Sequence, residues 1–260
     1  MESILVKISG NVVDDPEQLT QLAVWLTQQQ AKGRSIVVVH GAGKQMNLYS
    51  ERMGLDVNML EGRRVTNKET LELITGVMGG IVNKTIVDRF RRHSISAVGL
   101  SGADATISTA HKRAPLSING EMVDFGYVGE IDHMDTSLIK ALIQSAHIPV
   151  IASLTWSPKD GILNVNADTF ANRLALALQC SSMIALMDVP AVRDAHGDDL
   201  PGLNKLEFEQ GVAEGWIKDG MIPKLTSAFA AIDNGLPEVV LTNVDGLLLG
   251  KGTTLQAISS

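Results

Sequence analysis

Hydrophobic and polar residues alternate along the chain in blocks that predict strands and helices in turn. Short, β-branched apolar runs at residues 4–8 and 36–40 are typical of strands buried on both faces of a parallel sheet. Between them, from Pro16 to Gly33, apolar residues recur at helical spacing. A strand, a helix and a strand in this order form a β-α-β unit, so we expect the two strands to be parallel.

The same alternation continues through the rest of the chain. Further strands are predicted at residues 96–100, 149–154, 182–187, 239–241 and 253–255. Further helices are predicted at residues 44–53, 67–78, 81–93, 135–146, 203–214 and 225–234. Strands that alternate with helices in this way indicate a doubly wound α/β fold.

Local signals mark the ends of two of these helices. Thr66 and Glu69 match the S/T-x-x-E capping box, which predicts that the helix at 67–78 begins there. The pair Gly79-Gly80 then separates this helix from the next one, at 81–93.

The middle of the chain is predicted to be extended. Residues 106–128 are interpreted as a hairpin-like excursion with its turn at Asn119-Gly120, and residues 156–161 as a loop. A change in the pattern near residues 157–164 predicts two lobes, an N-terminal lobe of residues 1–157 and a C-terminal lobe of residues 158–260.

Composition and charge exclude several classes of protein. The 260-residue chain has a net charge of −7 and no basic block, which argues against a nucleic-acid partner. No run reaches 18 apolar residues and no signal peptide is apparent, so we expect no membrane segment. Cys180 is the only cysteine, which excludes an intrachain disulfide and favours the reducing cytoplasm; its apolar surroundings indicate a buried packing residue.

A glycine turn follows the second strand, at Gly41-Ala42-Gly43, and a helix follows the turn. This order directs free backbone N–H groups at an anion, although an ordinary strand–helix turn explains the same residues. The spacing matches neither the dinucleotide fingerprint GxGxxG nor the phosphate loop GxxxxGK[ST], which argues against a nicotinamide-dependent oxidoreductase.

Three further groups of residues are candidates for chemistry. Lys7 lies near the carboxyl end of the first strand, where open α/β sheets bind their ligands, and is either solvated or directed at a site. Arg63-Arg64 are either solvated or a fork for a carboxylate. The run Asn164-Val165-Asn166-Ala167-Asp168 opens a helix to Gln179, and it holds more Asx residues than one helix cap requires.

Eight short motifs together resemble the amino acid kinase family, in that family's order and along nearly the whole chain. They are Lys7-Ile8-Ser9-Gly10, Val39-His40-Gly41-Ala42-Gly43, Gly62-Arg63-Arg64-Val65-Thr66, Ala97-Val98-Gly99-Leu100-Ser101-Gly102, Phe125-Gly126-Tyr127-Val128-Gly129, Asn164-Val165-Asn166-Ala167-Asp168, Asp188-Val189-Pro190 and Gly220-Met221-Ile222-Pro223-Lys224. The resemblance implies a three-layer αβα sandwich with a mainly parallel open sheet, similar to carbamate kinase.

The resemblance also implies an activity, namely transfer of the γ-phosphoryl group of ATP to the side-chain carboxylate of N-acetyl-L-glutamate in arginine biosynthesis. Charge neutralisation and positioning then supply most of the catalysis. The resemblance implies that Lys7 and Lys224 flank the transferred group and that Asp168 holds both lysines. The implied phosphate-binding glycines are Gly10, Gly41 and Gly43, and the implied acceptor-binding residues are Ala42, Gly43, Arg64 and Asn164.

The implied ATP-binding residues lie in the C-terminal lobe: Asp188, Val189, Arg193, Trp216, Ile217, Lys218 and Met221. Mg²⁺ is expected to travel with the nucleotide, without a metal site of the protein's own. The chain also lacks the N-terminal helical extension of the hexameric, arginine-inhibited members. A cytoplasmic homodimer formed through the N-terminal lobe, without arginine feedback, is therefore implied.

Three positions depart from the family's pattern. Ser9 and Ala42 interrupt runs of glycine, and Ala191 replaces the glycine that usually follows Asp188-Val189-Pro190. Each adds a side chain where backbone is expected to meet a ligand. These departures leave open an N-succinyl-glutamate or aminoadipate-derived acceptor, and also a catalytically silent ligand sensor.

Overall fold

The computed structural model describes residues 2–60, 63–118 and 120–257. Gly62 of the arginine motif and Asn119 of the predicted hairpin turn lie outside these residues. The strands, in chain order, are β1 Ser3–Ile8, β2 Ser35–His40, β3 Met59–Leu60, β4 Arg63–Arg64, β5 Ala97–Ser101, β6 Ser108–Lys112, β7 Leu116–Ile118, β8 Glu121–Val123, β9 Gly129–Met134, β10 Ile148–Ala152, β11 Leu154–Ser157, β12 Gly161–Asn164, β13 Ser182–Leu186, β14 Glu238–Thr242 and β15 Thr253–Gln256.

The helices occupy most of the intervals between these strands. They are α1 Gly10–Asp14, α2 Pro16–Ala31, α3 Gly43–Arg52, α4 Lys68–Ile74, the π-helix Thr75–Val82, α5 Asn83–Arg92, α6 Ser137–Gln144, α7 Ala167–Leu178, α8 Lys205–Glu214, α9 Met221–Asp233 and α10 Val244–Leu248. Among the described residues, no helix is both long and apolar enough to cross a membrane.

The main sheet has seven strands in the order β15-β14-β13-β1-β2-β10-β5. All neighbours are parallel except β14 and β15, which are antiparallel. The strand β1 lies at the centre, where Lys7 is in register with Val39 of β2 and Ala185 of β13. The β-α-β unit and the mainly parallel open sheet are therefore confirmed.

Alternate residues of the central strands face two different cores, because side chains point to opposite faces along a strand. Ile4 and Val38 pack into a core that also holds Leu22 of α2 and Phe90 of α5. Leu5, Val37 and Val39 face the other core, to which α6, α7 and α9 contribute. Helices on both faces of one sheet confirm the three-layer αβα sandwich.

A smaller antiparallel-rich sheet, in the order β12-β11-β6-β9, lies beyond the carboxyl end of the main sheet. Two isolated bridges extend it, from Thr66 to Gly126 and from Val128 to Asn164. Gly126 has a φ of +74°, and a Cβ there would lie 2.2 Å from the Thr66 carbonyl oxygen, so only glycine permits this approach. The bridges bring the segments after β4 and before α7 together.

The predicted break at Gly79-Gly80 is wrong. The chain runs as one helical rod from Lys68 to Arg92, with a π-helical segment, Thr75–Val82, in its middle. Both glycines lie within that segment, and neither adopts a positive φ. Glycine has a low helix propensity but does not prevent a helix. Here tertiary packing outweighs that low propensity, and the helix continues through the two glycines as a π-helix.

The predicted capping box at Thr66 is also wrong, by one residue. Asn67 is the cap, and its Oδ1 accepts the Thr70 N–H at 2.8 Å. Thr66 is held in the bridge to Gly126, and its hydroxyl instead donates to the Arg64 carbonyl at 3.1 Å.

Several other boundaries differ from those predicted. The segment after Ser157 is not a loop alone, because Gly161–Asn164 forms β12 and pairs antiparallel with β11. The helix predicted from Leu225 begins at Met221, since Pro223 is tolerated in a first turn. The short helix α1, for which no element was predicted, begins at Gly10 directly after Ser9.

The two predicted lobes stay a prediction. Strand β13, from residues 158–260, pairs directly with β1 of residues 1–157, and both belong to the same sheet. The predicted burial of Cys180 is confirmed, since the residue packs in the second core. Burial raises the pKa of its thiol to about 12, so the sulfur stays protonated at neutral pH.

A pair of glycine substitutions tests the continuous rod. Gly80→Ala adds a methyl group to open space within a helix, so we expect the free energy of unfolding to rise by about 0.5–1 kcal/mol. The matched control is Gly33→Ala, which also meets open space but at a φ of +77°. That variant is expected to lose about 1 kcal/mol. Denaturant unfolding measures both, and an equal loss at both positions would contradict the rod.

Candidate active site

Lys7 and Asp168 form an ion pair at the carboxyl edge of the main sheet. The Lys7 Nζ lies 2.7 Å from the Asp168 Oδ1, and the two side chains are 11% and 30% exposed. Lys7 reaches the edge from the penultimate residue of the central strand, and Asp168 from the first turn of α7. Asn166 caps this helix by accepting the backbone N–H groups of Asp168 and Thr169. The cap and the helix dipole both fix a carboxylate at this place.

Lys224 lies near this ion pair. Lys7, Lys224 and Asp168 line one small cavity of about 20 Å³, so the two lysines that lie far apart in sequence share one place in the fold. Lys224 lies in the first turn of α9, where the helix dipole disfavours a cation. The stability of α9 therefore does not account for a lysine at this position.

One buried amide connects the helices that carry these groups. The Nδ2 of Asn172, one turn beyond Asp168, donates to the backbone oxygen and to the Oγ of Ser227, both at 2.8 Å. Ser227 lies three residues after Lys224 on α9. The contact sets the spacing of α7 and α9, and so the spacing of Asp168 and Lys224.

Asp168 also borders a second, larger cavity of about 310 Å³, which we call the edge cleft. The predicted acceptor-binding residues Ala42, Gly43, Arg64 and Asn164 all line it. Two of the three predicted phosphate-binding glycines, Gly41 and Gly43, also line it. Met46, Ile74 and Met78 supply an apolar wall. The edge cleft thus joins an apolar pocket to the ion pair at the sheet edge.

Arg64 presents a free donor to the edge cleft. Its Nη2 donates to the Asn47 Oδ1, while its buried Nη1 has no hydrogen-bond partner among the described residues. Burial lowers the pKa of the Arg64 guanidinium, and a group of this kind nonetheless stays charged at neutral pH. A buried donor without an acceptor is costly, so the Arg64 Nη1 favours a ligand with an acceptor oxygen, such as a carboxylate.

Asn164 lies beside Arg64 in the edge cleft. The Asn164 Nδ2 is 3.3 Å from the Thr66 Oγ1, and the Asn164 backbone N–H donates to Tyr127. The strand β12 therefore holds this amide on the same wall as the guanidinium.

The three glycines differ in what surrounds them. A Cβ on Gly41 would lie 3.1 Å from the Ala167 Cβ, and one on Gly10 would lie 3.2 Å from Gln45 and Lys44. A Cβ on Gly43 would meet no protein atom within 4 Å. Glycine at positions 10 and 41 is thus explained by close packing, whereas at Gly43 the open space faces the edge cleft.

The departures from the family's glycine pattern lie mostly inside the protein. Ala42 and Ala191 are buried, and Ala42 belongs to the first core. The Ser9 Oγ is buried without a hydrogen-bond partner among the described residues. The two alanine methyl groups are therefore accommodated by packing.

The residues expected to bind ATP are only partly connected to this edge. Asp188 follows β13, and its Oδ1 accepts the Asn11 Nδ2 at 2.7 Å, beside Gly10. Ile217 is buried in the second core, so its side chain contacts protein. Their roles stay a prediction. Val189 and Met221 are partly buried against the same core. Arg193 pairs with Asp199, and the Trp216 ring N–H donates to Glu214. Lys218 is exposed.

A buried histidine supports the glycine turn. The His40 Nδ1 lies 3.1 Å from the Gly41 carbonyl oxygen and the Nε2 lies 3.0 Å from the Asn83 Nδ2. The Asn83 Nδ2 also reaches the Val150 carbonyl at 2.9 Å. Because Asn83 donates to Nε2, the neutral ring carries its proton on Nδ1. Burial lowers the pKa of His40 to about 4.

Several residues of the site were missed from the sequence. Arg113 and Ser153 line the edge cleft, Asn47 holds Arg64, and Asn172 links the two helices. Arg113 directly follows a strand, and Lys7 is the penultimate residue of one. A cation at the carboxyl end of a strand was therefore the sequence signal that could have indicated Arg113. Among the described residues, no cluster of three or more His, Cys, Asp or Glu side chains is arranged to hold a metal ion.

Cations and one carboxylate gathered at the carboxyl edge of a parallel sheet, within an αβα sandwich, define an α/β protein with a cleft for an anionic ligand. The model of the amino acid kinase family matches residues 2–243. The chain belongs to the amino acid kinase family.

Relatives and solved structures agree with this assignment. A protein of Bacteroides thetaiotaomicron named acetylglutamate kinase is 38% identical over 263 residues, which cover 97% of each chain. Another of that name, from Methanopyrus kandleri, is 34% identical and covers 97% of this chain and 99% of its own. The crystal structure of smu.665 from Streptococcus mutans UA159 superposes with a TM-score of 0.82, at 27% identity and 98% coverage of both chains.

The buried His40 makes stability depend on pH. The unfolded imidazole binds a proton below pH 6.5, whereas the folded one binds it only near pH 4. The contribution of the neutral His40 to the free energy of unfolding is therefore fully present above pH 6.5. It falls as the pH drops toward 4, and the loss at pH 5 is about 2 kcal/mol. Denaturant unfolding at pH 7 and pH 5 measures this loss. The control is His40→Gln, in which the pH dependence over this range should disappear; a slope equal to that of the wild type would contradict it.

Proposed function

We propose that this protein transfers the γ-phosphoryl group of ATP to the side-chain carboxylate of N-acetyl-L-glutamate, giving N-acetyl-L-glutamyl 5-phosphate in arginine biosynthesis. The observation that carries the proposal is the convergence of Lys7, Lys224 and Asp168 on one cavity that adjoins the edge cleft. The name that the relatives of Bacteroides thetaiotaomicron and Methanopyrus kandleri share, acetylglutamate kinase, supports the substrate.

The chemistry explains why cations dominate this site. A carboxylate must approach a triphosphate, so negative charge is concentrated in both the ground state and the transition state. No covalent bond to the protein is required, and catalysis consists of positioning and charge neutralisation. Two ammonium groups beside the transferred phosphoryl group supply that neutralisation.

Asp168 has two roles in this mechanism. Paired with Lys7 at 2.7 Å, it holds the ammonium group at the sheet edge, and it lines the same small cavity as Lys224. Asp168 carries one negative charge and the two lysines carry two positive charges, so the three side chains have a net positive charge. The arriving phosphoryl group neutralises that charge. The Lys7 and Lys224 ammonium groups therefore stabilise charge that develops on the phosphoryl oxygens.

The edge cleft orients the acceptor. The unpaired Arg64 Nη1 donates to the α-carboxylate of the acylated amino acid, and Asn164 donates a hydrogen bond to the same molecule. The acceptor's side-chain carboxylate then points toward Asp168 and the lysines. Gly43 is the first residue of α3, so its backbone N–H has no acceptor within the helix and donates to a phosphoryl oxygen.

ATP binds along the C-terminal half of the sheet edge, beside Asp188, which already contacts the segment after Lys7 through Asn11. Mg²⁺ would arrive with the nucleotide as part of the substrate and would neutralise part of the phosphate charge. We further propose that the enzyme is a cytoplasmic homodimer.

Hydroxylamine trapping of the acyl phosphate tests the lysine roles. With ATP, Mg²⁺ and N-acetyl-L-glutamate, Lys7→Met and Lys224→Met should each lower kcat about 100-fold or more, because each removes charge stabilisation from the transition state. Isothermal calorimetry on the same variants detects whether the acceptor still binds.

The matched control is Lys205→Met, which breaks a surface ion pair to Asp233 instead. This variant should keep wild-type kcat. Full turnover in both site variants would contradict the lysine roles. Tight binding of ATP and acceptor by the wild type, without any acyl phosphate, would indicate a ligand sensor instead.

Gly43→Ala separates ligand approach from folding. A Cβ at this position meets no protein atom within 4 Å, so the melting temperature should stay within about 1 °C of the wild type. The methyl group nevertheless faces the proposed phosphate site, and we expect kcat/KM to fall about 10-fold or more. Thermal denaturation and steady-state kinetics measure the two effects. Unchanged kinetics would remove Gly43 from the site.

A further inference from the structure

Arg113 contributes a second partly buried guanidinium to the edge cleft. Its residue directly follows β6, and its backbone N–H donates to the Val128 carbonyl at 2.8 Å. Its Nε is buried and has no hydrogen-bond partner among the described residues, as is true of the Arg64 Nη1. Both residues line the edge cleft.

The small sheet places Arg113 and Arg64 on one wall. Thr66, two residues after Arg64, bridges Gly126, while Arg113 hydrogen-bonds Val128 two residues further along that segment. Val128 in turn bridges Asn164. Backbone pairing therefore presents both guanidinium groups and the Asn164 amide to the same space.

The carboxylates near Arg113 are engaged elsewhere. Asp168 is the acidic residue among those that line the edge cleft, and it pairs with Lys7. On the outer side of Arg113, Asp124 pairs with Lys112 at 3.2 Å, and Asp160 accepts from Ser157 at 3.1 Å. Arg113 is partly buried, and its buried Nε has no acceptor among the described residues, so an anion that enters the edge cleft would complete its hydrogen bonds.

We propose that Arg113 is a second carboxylate-binding residue of the acceptor site; this rests on the proposed function. The carboxylate has two candidate sources. It is either the α-carboxylate, shared with Arg64, or a carboxylate at the end of a longer, dicarboxylic acyl group. Guanidinium donors bind either one through charge-assisted hydrogen bonds.

The test compares wild type with Arg113→Met and Arg113→Lys on three acceptors. These are N-acetyl-L-glutamate, 4-acetamidobutyrate, which lacks the α-carboxylate, and N-succinyl-L-glutamate, which carries an additional carboxylate. We expect Arg113→Met to lower kcat/KM about 10- to 100-fold, through KM, for those acceptors that carry the additional carboxylate bound by Arg113, with the KM for ATP unchanged. Arg113→Lys should recover part of the loss. The control is Arg92→Met, which breaks the surface pair with Asp88 and should change neither KM.

The pattern of losses identifies the carboxylate. A loss on N-acetyl-L-glutamate that is absent on 4-acetamidobutyrate assigns Arg113 to the α-carboxylate. A loss confined to N-succinyl-L-glutamate assigns it to the acyl group. An equal loss on all three acceptors, or no loss on any, overturns the proposal.

Failure of the proposed function is recognised separately. If the wild type forms no acyl phosphate from any of the three acceptors, calorimetry with the same molecules decides the role of Arg113. Weaker binding of N-acetyl-L-glutamate or N-succinyl-L-glutamate by Arg113→Met than by wild type would support that role. Equal binding of both molecules by the two proteins would overturn it.

Discussion

The ion pair between Lys7 and Asp168 is the interaction on which the site depends. Lys7 is fixed because β1 is the central strand, paired on both sides, and Asp168 is fixed by the Asn166 cap of α7. The link from Asn172 to Ser227 then sets α9, and with it Lys224, against α7. Three elements from distant parts of the sequence thus converge on one carboxylate at the edge of the sheet.

Charge is distributed unevenly around that carboxylate. Two ammonium groups share the small cavity with Asp168, and two guanidinium groups with unpaired buried nitrogens share the edge cleft. These four cations are only partly buried, and together they outnumber Asp168, so the site favours a polyanionic ligand. In a chain with a net charge of −7, this local positive charge lies where two anionic substrates must meet.

Much of this architecture is readable from the sequence, because buried parallel strands and capped helices leave strong local patterns. The strand that carries Lys7 and the helix that carries Asp168 are examples. The rod through Gly79-Gly80 was not readable, since a π-helix depends on tertiary packing that outweighs glycine's low propensity. Arg113 was missed for a related reason: its neighbours Val128 and Arg64 are far away in sequence, and only the folded small sheet brings them together.

In the proposed mechanism, both Lys7 and Lys224 contact the phosphoryl group during transfer. A crystal structure with ADP, Mg²⁺, aluminium fluoride and N-acetyl-L-glutamate measures this directly, since the fluoride stands in for the transferred phosphoryl group. We expect the Lys7 and Lys224 Nζ atoms each to lie about 3 Å from the fluoride ligands. A bound fluoride group with either ammonium more than about 6 Å away would contradict it.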